Sequence, residues 1–175
     1  MSKKLTKIIR YPDPILGKKC KPIDSVCHNH TYLAEKMLKI MHDNQGYGLS
    51  GPQIGLSIRI FVCNHTGEPK DDQVWINPTL SGLQGTSVDV EGCLSLPGVK
   101  VRKNRATSLI VGGLSQSGQW RSLKSEGLFA RIIQHEMDHL NGVLIIDHMS
   151  PIDQLINRRV LKALESNLNE KKKLN

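Results

Sequence analysis

The sequence predicts a single α+β domain. Small antiparallel or mixed sheets should pack around a central helix, with a further helix at the C-terminal end. Three observations carry this. The chain has 175 residues, about one domain's worth and enough to bury a real core. Short strand-like runs cluster between residues 58 and 123. Helical patterns lie on either side of that cluster and do not alternate with it, which disfavours a parallel βαβ plan.

The elements follow in order. Tyr11-Pro12-Asp13-Pro14 is held extended or turning, because each proline restricts the residue before it. From Asp24 or Ser25 to Asp43 the pattern is helical: Leu33, Met37, Ile40 and Met41 fall on one face. That helix should stop near Asn44, before Gly46-Tyr47-Gly48. Strands are expected at Ile58 to Cys63, Val74 to Ile76, Ser87 to Val90, Thr107 to Val111 and Gln119 to Leu123. Ser115-Gln116-Ser117-Gly118 is a hairpin turn candidate. Two glycine-bearing loops are expected, Gly46 to Gly55 and Glu91 to Gly98. A second helix should run from about Glu126 to Leu140 and be capped by Asn141-Gly142. A third should start at Ser150-Pro151-Ile152-Asp153, with Ser150 as N-cap and Leu155, Ile156, Leu161 and Leu164 as its apolar stripe. Residues 1–166 form the expected domain. Residues 167–175, with Lys171-Lys172-Lys173, form an expected disordered basic tail.

Composition removes some function classes. Apolar residues are 38% and charged residues 23%, ordinary for a globular chain. No run approaches the roughly 20 apolar residues of a membrane span. Met1 to Arg10 lack the apolar core of a secretory signal. Basic minus acidic residues is 24 − 16 = +8, which suits contact with nucleic acid, a ribosome or anionic lipid. Aromatics at 4% argue against a base-stacking surface. Four scattered cysteines do not make a disulfide framework, so an intracellular protein is expected. Cys20, Cys27 and Cys63 are read as small buried hydrophobes.

His135-Glu136-Met137-Asp138-His139 on the second helix is H-E-x-x-H. Histidines at i and i+4 share a face, so both imidazoles can reach one metal. Glu136 projects beside that line, where a carboxylate can deprotonate a water. By itself the pattern should occur in roughly one such chain in fifty, and two surface histidines are its ordinary alternative. Leu128 and Ile132 share the histidine stripe, so an apolar pocket beside a metal is expected there. Phe129, Ile133 and Leu140 should face the core. A catalytic metal takes three protein ligands and keeps one position open. His148 is one candidate for the third ligand. Cys93, in Glu91-Gly92-Cys93-Leu94-Ser95-Leu96-Pro97, is the better one. One thiolate with two imidazoles suits Fe²⁺, Zn²⁺, Ni²⁺ or Co²⁺.

Three segments in order resemble peptide deformylase: Gly46 to Gly55, Glu91 to Pro97, and Gln134 to Gly142. Tyr11-Pro12-Asp13-Pro14 and Ile76-Asn77-Pro78 resemble it too, so the likeness spans about residues 5 to 165. The resemblance implies a hydrolase that removes the N-formyl group from the formylmethionine of new chains, releasing formate. It implies Cys93, His135 and His139 as ligands of one divalent metal, commonly Fe²⁺, with other divalent ions able to substitute. It implies Glu136 as general acid/base, attacking water held at the metal, and Gln53 with the N–H of Leu94 holding the substrate carbonyl oxygen. Gly48, Tyr47, Glu91, Arg102, Leu128 and Ile132 are the expected substrate contacts, with Lys100 the alternative to Arg102. Glu91 is otherwise read as orienting backbone or Arg102. Asp138 is read as a hydrogen-bond partner of a ligand histidine or as a surface charge. Ser50-Gly51 departs from two alanines common in the family, and Gly51 is expected to loosen its loop. Tyr47 stands where Ile or Val is usual. Expected partners are formyl-Met nascent peptides and the ribosome, met through the basic surface or the C-terminal region. No membrane is expected, and the protein should be a monomer or homodimer. The expected location is the bacterial cytoplasm, or an organelle after loss of a transit peptide. A zinc peptidase or other amidase, and a non-catalytic RNA-binding protein, are the rival classes.

Overall fold

The structure, a computed structural model, describes residues 7–173, with side chains through Ser166. Among the described residues, seven strands and three α-helices make an α+β fold. The helices are α1 (His28–Asp43), α2 (Gly127–Leu140) and α3 (Pro151–Lys173). The strands are β1 (Gly48–Ser50), β2 (Ile60–Cys63), β3 (Gln73–Gln84), β4 (Ser87–Cys93), β5 (Leu96–Arg105), β6 (Ser108–Leu114) and β7 (Trp120–Glu126). Five form one sheet in the order β1-β2-β3-β6-β7, and β4 and β5 form a separate hairpin. All named pairs are antiparallel. An isolated parallel bridge joins Lys21 to Ile58.

Alternation along the strands decides what each helix covers. In β2 and β3, Ile60, Val62, Val74 and Ile76 face one way and pack with Leu33, Ala34, Met37 and Met41 of α1. Phe61, Cys63 and Trp75 face the other way and pack with Phe129, Ala130, Ile133, Met137 and Leu140 of α2. Helix α2 is thus sandwiched against the sheet, and its core face is the one expected from the sequence. A third cluster, Leu16, Leu96, Val99, Val101, Leu144 and Ile145, receives Val160, Leu161 and Leu164 of α3.

Several boundaries differ from expectation. Helix α1 starts three residues or more later than predicted, with Cys27 as its N-cap. Asn77 clamps the preceding segment: its side chain accepts from Ile23 N at 2.8 Å and donates to Ile23 O at 2.7 Å. Cys27 is exposed, not a buried hydrophobe, whereas Cys20 and Cys63 are buried. The expected loop Glu91 to Gly98 is mostly strand, because β4 and β5 are joined directly through the turn Leu94-Ser95. The stripe on α3 is corrected too. Leu155 and Ile156 are exposed, at 72% and 65%. The face toward β5 is instead fixed by Asn157, which accepts from Lys100 N at 3.1 Å and donates to Lys100 O at 2.8 Å. The expected tail at 167–175 falls where side chains are not described, and residues 174–175 fall outside the described residues altogether.

The caps of the other helices match their sequence signals. Ser150 Oγ accepts from Asp153 N at 3.1 Å and donates to Asp153 Oδ2 at 2.7 Å. At the end of α2, Gly142 takes φ +74°. Its N–H donates to His139 O, and Val143 N donates to Asp138 O, the paired bonds of a Schellman stop. This ends α2 one residue after the turn that carries His139.

Candidate active site

Three elements converge on one cleft of about 400 Å³. Helix α2 brings His135, Glu136 and His139. The β4–β5 turn brings Cys93. The short 3-10 turn after β1, Gly51–Ile54, brings Gln53. The N-terminal segment ties the last two together: Ile9 N donates to Gln53 O at 2.8 Å and Tyr11 N to Ser95 O at 2.9 Å.

Cys93, His135 and His139 place one donor atom each within 4.8 Å of one another. Cys93 Sγ lies 3.2 Å from His139 Nε2. His148 is not part of this group. Burial pushes the Cys93 thiol up, but His139 and His135 outweigh it and hold the thiol well below its ordinary range. Burial pulls His135 down, yet Cys93 and Glu91 raise it to about 10. Three electron-pair donors therefore face each other where a divalent cation would sit. The donor set, one thiolate and two imidazoles, fits such a cation.

Glu136 is 3% exposed, and burial pushes its carboxyl up to about 7. Its Oε2 has no hydrogen-bond partner among the described residues. Such an atom is costly to bury unless a water or a reacting group meets it. Gly48 makes room for it: a Cβ there would lie 2.6 Å from Glu136 Cδ. Gly48 lines the cleft, but what it supplies is that space.

The expected substrate contacts are partly redistributed. Tyr47 and Leu128 stand on the rim, 56% and 50% exposed, and Ile132 lies deeper, at 7%. Leu94 lines the cleft. Arg102 does not line it and pairs with Asp153 on α3, Nε to Oδ1 at 3.5 Å. Lys100 does line it, because side chains two apart on β5 share a face and Arg102 is diverted by α3. Glu91 binds neither backbone nor Arg102. Its carboxylate accepts from Arg105 Nε and Nη2, both at 2.9 Å, and from Arg131 Nη1 at 2.8 Å. It also meets His135 Nδ1 at 3.1 Å. Burial pushes the Glu91 carboxyl up, but Arg105 and His135 overcome this and hold it far below the usual carboxylate range. Asp138 binds no histidine. It accepts from Arg105 Nη1 at 2.6 Å. Gly51 is tight, not loose: a Cβ there would lie 2.7 Å from Ile58 O and 2.8 Å from Leu56 O.

Sequence reasoning missed Arg105, Arg131, Ser50 and Ser95. Arg131 was findable, since it precedes His135 by one helical turn on the same face. Arg105 was not, because only the pairing of β4 with β5 brings it to Glu91.

Comparison with known proteins identifies the family and the fold. The family model described as polypeptide deformylase matches residues 5–155. The peptide deformylase of Thermodesulfovibrio yellowstonii is 36% identical over 161 residues, covering 91% of this chain and 98% of that protein. A crystal structure of peptide deformylase from Plasmodium falciparum superposes with a TM-score of 0.90 at 33% identity, covering 94% of this chain and 98% of that one. Peptide deformylase 1B of Arabidopsis thaliana, solved with an inhibitor, gives 0.89 at 38% identity, covering 94% and 93%. With a matched model across most of its length and relatives above 30% identity over nearly all of theirs, this chain belongs to the peptide deformylase family.

Proposed function

We propose that this protein hydrolyses the N-formyl group of formylmethionine at the start of newly made polypeptides, giving formate and a free amine. The observation that carries it is the Cys93, His135, His139 donor set beside Glu136, whose buried Oε2 is unpaired among the described residues. A bound divalent cation supplies Lewis-acid activation of water and of the formyl carbonyl. Cys93, His135 and His139 would hold it, and Glu91 meets His135 Nδ1 from behind. Glu136 takes one proton from the attacking water at its free oxygen. The water oxygen bonds to the formyl carbon, and charge builds on the formyl oxygen. The Gln53 side-chain amide and the Leu94 N–H receive that charge. The C–N bond then breaks, and Glu136 returns its proton to the departing nitrogen. Ile132, Leu128 and Tyr47 receive the methionine side chain and the residues after it, with Lys100 beside the peptide.

Fe²⁺ is the proposed native metal, with Zn²⁺, Ni²⁺ and Co²⁺ able to replace it; the mixed thiolate–imidazole set supports all four. The net charge of +8 and the exposed Arg158, Arg159 and Lys162 on α3 support docking at the ribosome. The protein would work as a monomer or homodimer, in the bacterial cytosol or in an organelle that makes formylated chains. No helix among the described residues is long and apolar enough to cross a membrane. Formate release by metal-loaded protein tests the reading. Formyl-Met peptides should be turned over and the same peptides without the formyl group left intact. Cleavage of internal peptide bonds would instead support a peptidase.

A further inference from the structure

Ser50 is fully buried, at 0% exposure. Its N–H donates to Gln53 Oε1 at 2.8 Å, and its hydroxyl donates to the same oxygen at 3.0 Å. A backbone N–H can only donate. The oxygen of the Gln53 amide must therefore face Ser50, and Nε2 must point the other way. It does so, 3.2 Å from Ser95 Oγ and 3.5 Å from Cys93 Sγ. Two donors on one amide oxygen draw electron density toward it, which strengthens the N–H groups at the far end. Ser50 also lies two residues along β1 from Gly48, and residues two apart on a strand share a face. That is the face against which Glu136 packs.

We propose that Ser50 is a positioning residue for deformylation: its hydroxyl locks and polarises the Gln53 amide, so that Nε2 meets the formyl oxygen as charge builds on it. The proposal rests on the role of Gln53 given above. Alanine at this position keeps the backbone donor and loses the hydroxyl. The second bond to Gln53 Oε1 is then absent, and the effect belongs to the transition state more than to substrate binding.

The test is a double-mutant cycle on metal-loaded protein with a formyl-Met peptide, reading kcat and KM separately. The Co²⁺-loaded forms are also read by their absorption band, which reports the ligand set. Ser50→Ala should lower kcat about three- to tenfold, the worth of one hydrogen bond. KM and the cobalt band should be unchanged. In a Gln53→Ala background, Ser50→Ala should cost nothing further. The same loss in both backgrounds, or a changed cobalt band, would make Ser50 a packing residue and overturn the proposal. An unchanged kcat for Ser50→Ala beside a slow Gln53→Ala would overturn it alone. A Gln53→Ala enzyme as fast as the parent would overturn the role of Gln53, and this proposal with it. If Ser50→Ala fails to fold, Ser50→Cys, with its weaker donor, is read in the same cycle against the same outcomes.

Discussion

On the hairpin side of the cleft, Cys93 and His135 are backed by buried and half-buried charges. Glu91, Asp138, Arg105 and Arg131 stand there, two negative against two positive. On the β1 side, Glu136 and Gln53 are backed by neutral groups, Gly48 and Ser50, and Gln53 reaches across to Ser95 of the β4–β5 turn. The charged flank is held by ion pairs that tolerate burial only while complete. The neutral flank is held by hydrogen bonds and by close approach of backbone to side chain. The difference predicts two kinds of failure. Damage to the first should unfold or demetallate the protein. Damage to the second should slow it while leaving it folded and loaded.

The largest expected effect comes from the residue between the flanks. Glu136→Ala should lower kcat by about 10²–10⁴, the range for a lost general acid/base. The three donors remain, so metal stoichiometry should stay at the parent value by elemental analysis. Metal lost in proportion to activity would place Glu136 among the groups that hold the ion.

Next come matched truncations, one on each flank. Glu91→Ala leaves Arg105 and Arg131 buried without their shared acceptor, which should cost about 3–5 kcal/mol in chemical denaturation. Gln53→Ala should cost about 10²–10³ in kcat and only about 1 kcal/mol of stability. If both variants lost stability equally, the contrast between the flanks would not hold.

The same contrast has a pH signature. The Glu91 carboxyl is held below its ordinary value in the folded protein. A depressed carboxyl contributes stability that is complete above its unfolded pKa and lost as pH falls toward the folded one. The window therefore opens below the ordinary carboxyl value of 4.5 and extends downward. Melting temperature measured from pH 7 to pH 3 should fall in this range for the parent, and less steeply for Glu91→Gln. Parallel curves would assign acid sensitivity to other carboxyls.

These flanks were not equally readable from sequence. The i, i+4 histidines with Glu136 between them and the Ser150 and Gly142 caps are local patterns that the structure shows, whereas Cys93 closes β4 where a loop was expected. The core face of α2 is local too, because a 3.6-residue period fixes which side chains point together. Arg105 with Glu91 is not local; fourteen residues and a hairpin turn separate them. The strand β5 was hidden because Gly92, Pro97 and Gly98 looked like a loop, when a two-residue turn makes them part of a hairpin. The exposed Leu155 and Ile156 mislead for a related reason. Asn157 and Asp153 choose the buried face of α3 by polar contacts with β5, and hydrophobic periodicity does not see polar docking.

A smaller effect is expected at Gly51, on the neutral flank. Alanine there would place a Cβ against two backbone carbonyl oxygens, Ile58 O and Leu56 O. Backbone cannot swing aside as a side chain can. Gly51→Ala should cost about 1–3 kcal/mol, the range for overpacking. It should also move the turn that carries Gln53, so kcat should fall together with melting temperature. A variant as stable as the parent would show that residues 56 to 58 relax freely.

The smallest effect separates Arg102 from Lys100. Both were candidates for the peptide, and they differ by one β5 step. Arg102 reaches Asp153 at 3.5 Å, with its side chain 49% exposed and that of Asp153 6% exposed. An exposed or half-exposed pair of this kind is worth about 0–1 kcal/mol. Asp153 keeps Ser150 Oγ as a partner at 2.7 Å, so losing the arginine leaves no buried orphan. Arg102→Ala should therefore shift stability by less than about 1 kcal/mol and leave kcat/KM for formyl-Met peptides unchanged. Lys100 lies across Gly92, where a Cβ would stand 3.0 Å from its Nζ, and it lines the cleft. Lys100→Ala should raise KM for peptides longer than formyl-Met with little change in kcat, as expected for a group that binds ground state and transition state alike. The two single variants measured side by side on a short and a long formyl peptide decide it. A KM increase confined to Arg102→Ala would mean that the α3 contact opens when peptide binds, and that the arginine, not the lysine, meets the chain.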